Sequence, residues 1–190
     1  IIMDNSLIVI PIRMASKRFP GKPLVDICGK SMIYHVWERA VKSKVGDVLV
    51  ACCDKEVAEY LKINKIKYVN TKKNLRSGTD RVYDAIRIAG KLKDYKYIIN
   101  LQGDLPNINP ADIRKLSSHI KKNNSEIVTL ATKIKDKKKI KDKNIVKVAV
   151  SKNNKAHKAI FFSRAAIPYG SPSYYEHIGI YAYDIDILER

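Results

Sequence analysis

Leu7-Ile-Val-Ile-Pro-Ile12 runs directly into Arg13-Met-Ala-Ser-Lys-Arg-Phe-Pro-Gly-Lys-Pro-Leu24. The first six residues form a short apolar run, the pattern of a strand buried on both faces. The next twelve are polar and basic, and Pro20, Gly21 and Pro23 punctuate them as a loop. From Ser31 the period becomes helical, with Ile33, Val36, Trp37, Ala40 and Val41 on one face. Strand, loop, helix is the opening of an α/β fold, and the rest of the chain repeats it.

Val48 to Cys53 reads as a second buried strand, Glu56 to Lys65 as a helix with Val57, Tyr60 and Leu61 inward, and Tyr68-Val69 as a brief strand. Asn74 to Thr79 reads as a loop before a helix over Asp80 to Lys91, whose inner face is Val82, Ala85, Ile86 and Ala89. Tyr97 to Leu101 is a strand that ends in Gln102-Gly103-Asp104. Asn109 is placed as a helix N-cap, with Pro110 at the first helical position and Ile113, Leu116 and Ile120 as the apolar stripe. Alternating strands and helices predict a Rossmann-like, mostly parallel sheet with helices on both faces over residues 1–125. Residues 126–190 read as a smaller, mixed α+β part. Its strand-like stretches are Ile127 to Ala131, Ile145 to Val150, Ala159 to Phe162 and Ile178 to Tyr183.

Hydrophobic residues make up 45% of the 190, enough to build a core. No apolar run approaches the roughly 20 residues that span a bilayer, and the first twelve lack the layout of a secretory signal. A soluble cytoplasmic protein with no membrane partner is expected. Cys28, Cys52 and Cys53 show no C-x-x-C spacing, so reduced core thiols are expected rather than a disulfide or metal framework. The formal net charge of +18 invites a nucleic-acid reading. Its distribution argues against one: seven lysines crowd between Lys133 and Lys143 with no interleaved aromatics to stack bases.

In an open α/β sheet, ligands bind beyond the carboxyl ends of the strands, and two polar clusters fall there. Arg13, Arg18 and Lys22 could neutralise phosphate oxygens, and Gly21 would let backbone approach a ligand. On composition alone a solvated basic loop is as good a reading, and neither Walker A nor G-x-G-x-x-G is present. Taken alone, Asp104 at a strand end is more plainly a turn aspartate that accepts backbone hydrogen bonds; facing the basic loop from the same sheet, it is suited to Mg²⁺. Ser77-Gly78-Thr79 could present amides and hydroxyls to a base or ribose, or could simply cap a helix. Arg164 and His177 lie among strands, where a salt bridge or a hydrogen-bonded core histidine is the plainer alternative.

At these positions the chain resembles the 3-deoxy-manno-octulosonate (Kdo) cytidylyltransferases. The resemblance rests on RMASKRFPGKPL (Arg13–Leu24), SGTDR (Ser77–Arg81), NLQGD (Asn100–Asp104), VKVAV (Val146–Val150), FSRAAIPY (Phe162–Tyr169) and HIGIYAY (His177–Tyr183), in family order. The loop alone would also fit the CMP-sialic acid synthetases; the later blocks favour the Kdo enzymes.

The resemblance implies an Mg²⁺-dependent transfer from CTP to Kdo for lipopolysaccharide biosynthesis, by a homodimer. Arg13, Ser16, Arg18 and Lys22 would hold the triphosphate, and Ser77, Gly78 and Thr79 the cytidine. Asp104 would bind the metal. Gln102, Arg164, His177 and Tyr181 would line the sugar site. Arg13, Lys22 and Asp104 would carry the catalysis. Family members continue past the position of Arg190 with an S-P-L-E segment, a helix and an aspartate that ligates a second metal, so the chain is expected to be trimmed at its C-terminus. A basic nucleic-acid module, and a chain that binds CTP without turning it over, are the competing expectations.

Overall fold

The computed structural model describes residues 5–15, 19–152 and 157–189. Ser16 and Arg18, both expected at the triphosphate, lie outside the described residues. The chain divides into two units: Ile1–Val128 with Ile180–Arg190, and Thr129–Gly179.

The first unit is built on β1 (Ser6–Pro11), β4 (Asp47–Cys52), β5 (Tyr68–Asn70) and β6 (Tyr97–Leu101). The strand order is β5-β4-β1-β6, every pair parallel. The last half of β10 (Tyr175–Asp184) adds an antiparallel strand beside β6, Ile180 opposite Leu101 and Asp184 opposite Tyr97. The mostly parallel sheet expected from the sequence is therefore present, with one antiparallel neighbour that periodicity gave no means to place.

Every residue of β1 is buried, as a strand covered on both faces requires. Leu7, Val9, Leu49, Ala51 and Ile98 pack with Val82, Ala85 and Ile86 of α3 (Gly78–Ile88) on one face. Ile8, Ile10, Val50 and Ile99 alternate to the other face. Helix α1 (Met32–Ser43), outside that cluster, packs on β4 and against α4 (Pro110–Asn123). The Ser31 hydroxyl caps α1 by accepting from the Tyr34 amide, and Asn109 caps α4 by accepting from Ala111. Val41, expected on the inner face of α1, is 46% exposed. The buried stripe is Met32, Ile33, Val36, Ala40 and Ser43, and at about 100° per residue Val41 falls about 80° beyond Ile33, outside it. Tyr60 of α2 (Lys55–Ile63) is only half-buried, and Ala58 is buried instead.

Between β1 and α1 stand a 3-10 turn (Lys22–Leu24) and a hairpin of β2 (Asp26–Ile27) with β3 (Lys30–Ser31). Sequence reading placed neither. The hairpin turn is Cys28-Gly29, both in the left-handed region at φ 53° and 82°, the geometry of a primed two-residue turn. Cys28 is therefore exposed, not a core thiol; Cys52 is buried and Cys53, just past β4, is half-buried.

The second unit holds β8 (Lys147–Lys152) and β9 (His157–Ser163) as an antiparallel pair, with Glu176 of β10 opposite Lys147. Strand β7 (Ile127–Lys133) pairs with β10. Lys147 is fully buried, its ammonium donating to the carbonyls of Asp142 and Ile145 at 2.8 Å each. Short helices α5 (Lys138–Lys141) and α6 (Ile185–Leu188) complete the chain. No helix of the described residues is long and apolar enough to cross a membrane.

Candidate functional site

The carboxyl ends of β1, β4 and β6 carry polar groups. Beyond β1 the chain closes a loop on itself: the Gly21 amide donates to the Met14 carbonyl at 3.2 Å, and Gly21 takes φ 75° to make the return. Lys22 then opens the 3-10 turn. Its ammonium meets Asp104 Oδ2 at 3.0 Å, so the basic loop and the Gln102-Gly103-Asp104 turn are joined across 82 residues of sequence. Both side chains are substantially exposed, at 36% and 54%. An ion pair this wet adds little to stability, and either charge can exchange its partner for a ligand. Arg13, on the same loop, is exposed.

Gly103 makes that approach possible. A Cβ there would lie 2.3 Å from Ile12 Cγ2 and 3.2 Å from the Pro11 carbonyl oxygen, so the ends of β1 and β6 touch at a position with no side chain.

The N-terminus of α3 reaches the same strand ends. A Cβ on Gly78 would sit 3.3 Å from Gln102 Nε2 and 3.6 Å from Pro11 Cγ. The Gln102 amide donates to Asn100 Oδ1 at 2.8 Å, and Asn100, 1% exposed, donates to Thr79 Oγ1 at 3.5 Å. Asn100 was not singled out from the sequence, yet it ties Thr79 to Gln102; its signal was an amide in the middle of an apolar strand. Ser77 and Asp80 form a reciprocal capping box, so the helix begins two residues earlier than its periodicity suggested. The Ser77 hydroxyl is thus engaged by the Asp80 amide, while Gly78 and Thr79 occupy the first helical positions, where amides are aimed outward and the helix dipole favours an anion.

Arg81, the last residue of SGTDR, is 3% exposed and points inward. Its guanidinium donates to Thr71 Oγ1 and to the Lys72 carbonyl, the latter at 3.1 Å. It braces the segment that leaves the end of β5.

Asp54, at the end of β4, was also missed. Its Oδ2 accepts from the Met14 amide at 2.8 Å. The signal was available: a carboxylate just past a third parallel strand.

Tyr181 lies opposite Asn100 in the β6–β10 register and stacks on Tyr183, with centroids 5.9 Å apart. Burial raises its phenol above the ordinary value. Arg164 and His177 belong to the second unit. Arg164 is exposed and donates to the Lys143 carbonyl at 2.7 Å. His177 Nε2 meets Thr129 Oγ1 at 3.0 Å, and Phe162 packs edge-on to its ring at 4.8 Å.

Burial lowers the His177 pKa below its ordinary 6.5, since the charged ring loses water. The folded protein then binds fewer protons than the unfolded chain as pH drops below about 6.5, so stability is lost in that direction. Between pH 7.5 and 5.5 the thermal midpoint should fall more steeply for the natural chain than for His177→Gln. Equal slopes would assign the loss to other groups.

Among the described residues, no group of three or more His, Cys, Asp or Glu side chains could hold a metal by itself. The single carboxylate of Asp104 beside a basic loop does fit a Mg²⁺ ion, which is commonly held by one or two carboxylates and the substrate's phosphates.

A family model described as "Cytidylyltransferase" matches residues 7–188. The 3-deoxy-manno-octulosonate cytidylyltransferase of Paramagnetospirillum magneticum is 39% identical over 186 residues, covering 97% of this chain and 76% of that protein. That of Chelativorans sp. is 40% identical, covering 98% and 76%. A solved CMP:2-keto-3-deoxy-manno-octonic acid synthetase complexed with CTP superposes with a TM-score of 0.85 at 37% identity, over 97% of this chain and 76% of that one. A cytidylyltransferase from Leptospira borgpetersenii, 23% identical with a TM-score of 0.56 over 66% of this chain and 53% of its own, shares the fold. With likeness of this depth running through both strand-end clusters, the chain belongs to the 3-deoxy-manno-octulosonate cytidylyltransferase family.

Proposed function

We infer that this protein transfers the CMP group of CTP to 3-deoxy-manno-octulosonate. The anomeric oxygen bonds to the α-phosphorus as the bond from that phosphorus to the β-bridging oxygen breaks. Diphosphate leaves, and the hydroxyl proton passes to solvent. The observation that carries the reading is the exposed Lys22–Asp104 pair at the ends of β1 and β6, within a chain aligned over nearly its whole length with a CTP-bound synthetase.

The chemistry asks for positioning and charge neutralisation rather than a protein nucleophile. Lys22 and Arg13 supply positive charge to the triphosphate, and Gly78 and Thr79 offer helix-start amides to the cytidine side. Asp104 would hold Mg²⁺, which when bound neutralises charge on the phosphate oxygens. Gln102, Arg164, His177 and Tyr181 are assigned to the sugar acid, Arg164 to its carboxylate. A homodimer working in the cytoplasm, in lipopolysaccharide biosynthesis, belongs to the same proposal.

Incubation with CTP, Mg²⁺ and Kdo should release diphosphate in step with sugar consumption. No release with any sugar acid would sink the assignment. Faster turnover of sialic acid than of Kdo would keep the chemistry and move the acceptor.

A further inference from the structure

We propose that Asp54 is a positioning residue for the triphosphate loop: by fixing the Met14 amide it holds Arg13 and Lys22 in their CTP-binding geometry. The inference rests on the proposed cytidylyl transfer and adds a residue to it.

Met14 is held through both of its backbone polar groups. Its carbonyl takes the Gly21 amide at 3.2 Å, which closes the loop, and its amide gives to Asp54 Oδ2 at 2.8 Å, which ties the closed loop to the end of β4. Two residues earlier, the Ile12 amide still donates to the Ala51 carbonyl at 2.9 Å, so the β1–β4 pairing continues up to the loop and Asp54 supplies the next tie. Arg13 lies between these two anchors, and Lys22 follows Gly21 directly.

Asp54 stands at the N-cap of α2, where an aspartate commonly accepts from its own helix, yet its side chain makes no capping bond. Its carboxylate is committed to the loop. The same oxygen also receives the Cys53 thiol at 3.4 Å, and burial raises that thiol's pKa, so its proton stays in place to be donated. A hydrogen bond from a backbone amide to a carboxylate is stronger than a neutral one, which suits an anchor that must survive the exchange of Lys22 from Asp104 to a ligand.

The test is steady-state kinetics on the full chain with CTP, Mg²⁺ and Kdo. Asp54→Ala should raise KM for CTP by about tenfold and lower kcat by less than about threefold. Asp54→Asn, which keeps an acceptor oxygen at the same reach, should recover most of that KM. A residue that only supported the fold would lower the yield of active protein and the thermal midpoint while leaving KM in place. An unchanged KM in Asp54→Ala, or an Asn variant as impaired as the Ala one, overturns the proposal. Should Asp54→Ala not fold, amide exchange in the natural chain decides. A Met14 amide protected more than that of Ala15 supports the anchor, and one exchanging at the same rate overturns it. If the natural chain itself releases no diphosphate, the transfer reading has failed; the exchange measurement still reports on the anchor.

Discussion

Lys22→Ala is expected to lower kcat/KM for CTP by about two to three orders of magnitude while shifting the thermal midpoint by no more than a few degrees. The two halves of that expectation come from the same bond. Lys22 and Asp104 face each other at 3.0 Å, both substantially exposed to water, so removing the cation costs the fold little. In the reaction, negative charge gathers on the diphosphate as it departs, and a preorganised cation aimed at developing charge is commonly worth about 10²–10³ in rate. Lys22→Arg should lose less, because charge is kept and only the point-like geometry of the ammonium changes. Single-turnover rates with subsaturating CTP, paired with thermal melts, make the measurement. A variant with full activity would place the triphosphate elsewhere; a variant that melts far below the natural chain would make Lys22 a structural residue.

Gly103→Ala should damage both stability and turnover. The added Cβ would collide with Ile12 Cγ2 at 2.3 Å, and Ile12 is 5% exposed with no room to retreat. Relief must come from parting the ends of β1 and β6. Overpacking of this kind typically costs about 1–3 kcal/mol, which for a chain of this size lowers the melting midpoint by roughly 3–10 °C. The same displacement separates Lys22 from Asp104, and a shift of about 1 Å at reacting groups can cost about a hundredfold in rate. Melting and kcat/KM on one preparation check both. An alanine variant that melts normally would mean that Ile12 yields more easily than its burial implies.

The sequence was most legible where local chemistry and tertiary packing agree. Tyr97–Leu101 and Pro110–Asn123 fall where their apolar period and caps put them, because nothing in the fold opposes those signals. The meeting of Lys22 with Asp104 was foreseeable from topology alone, since parallel strands send their carboxyl ends to one edge. Less legible was whatever depends on a neighbour distant in sequence. Asp54 looks like any helix-capping aspartate until the loop 40 residues earlier is seen to use it. Arg81 sits in a motif that reads as substrate-facing, yet its helix turns it inward to Thr71 and Lys72. The β2–β3 hairpin was hidden because two-residue strands carry no period to detect.

The course of the chain through its two units has an evolutionary consequence. Residues 129–179 leave the first unit along β7 and rejoin it along β10, and these strands are paired, the Thr129 hydroxyl donating to the Ile178 carbonyl at 3.3 Å. The segment is therefore an insertion whose two ends lie side by side, the arrangement under which a cassette can be lengthened, shortened or exchanged without moving the frame that receives it. The frame carries Lys22, Asp104 and the start of α3; the cassette carries Arg164 and His177. On the assignments proposed above, two of the four sugar-acid residues belong to the cassette while Gln102 and Tyr181 stay with the frame, so a lineage could retune half of the acceptor's contacts while selection holds the handling of CTP fixed.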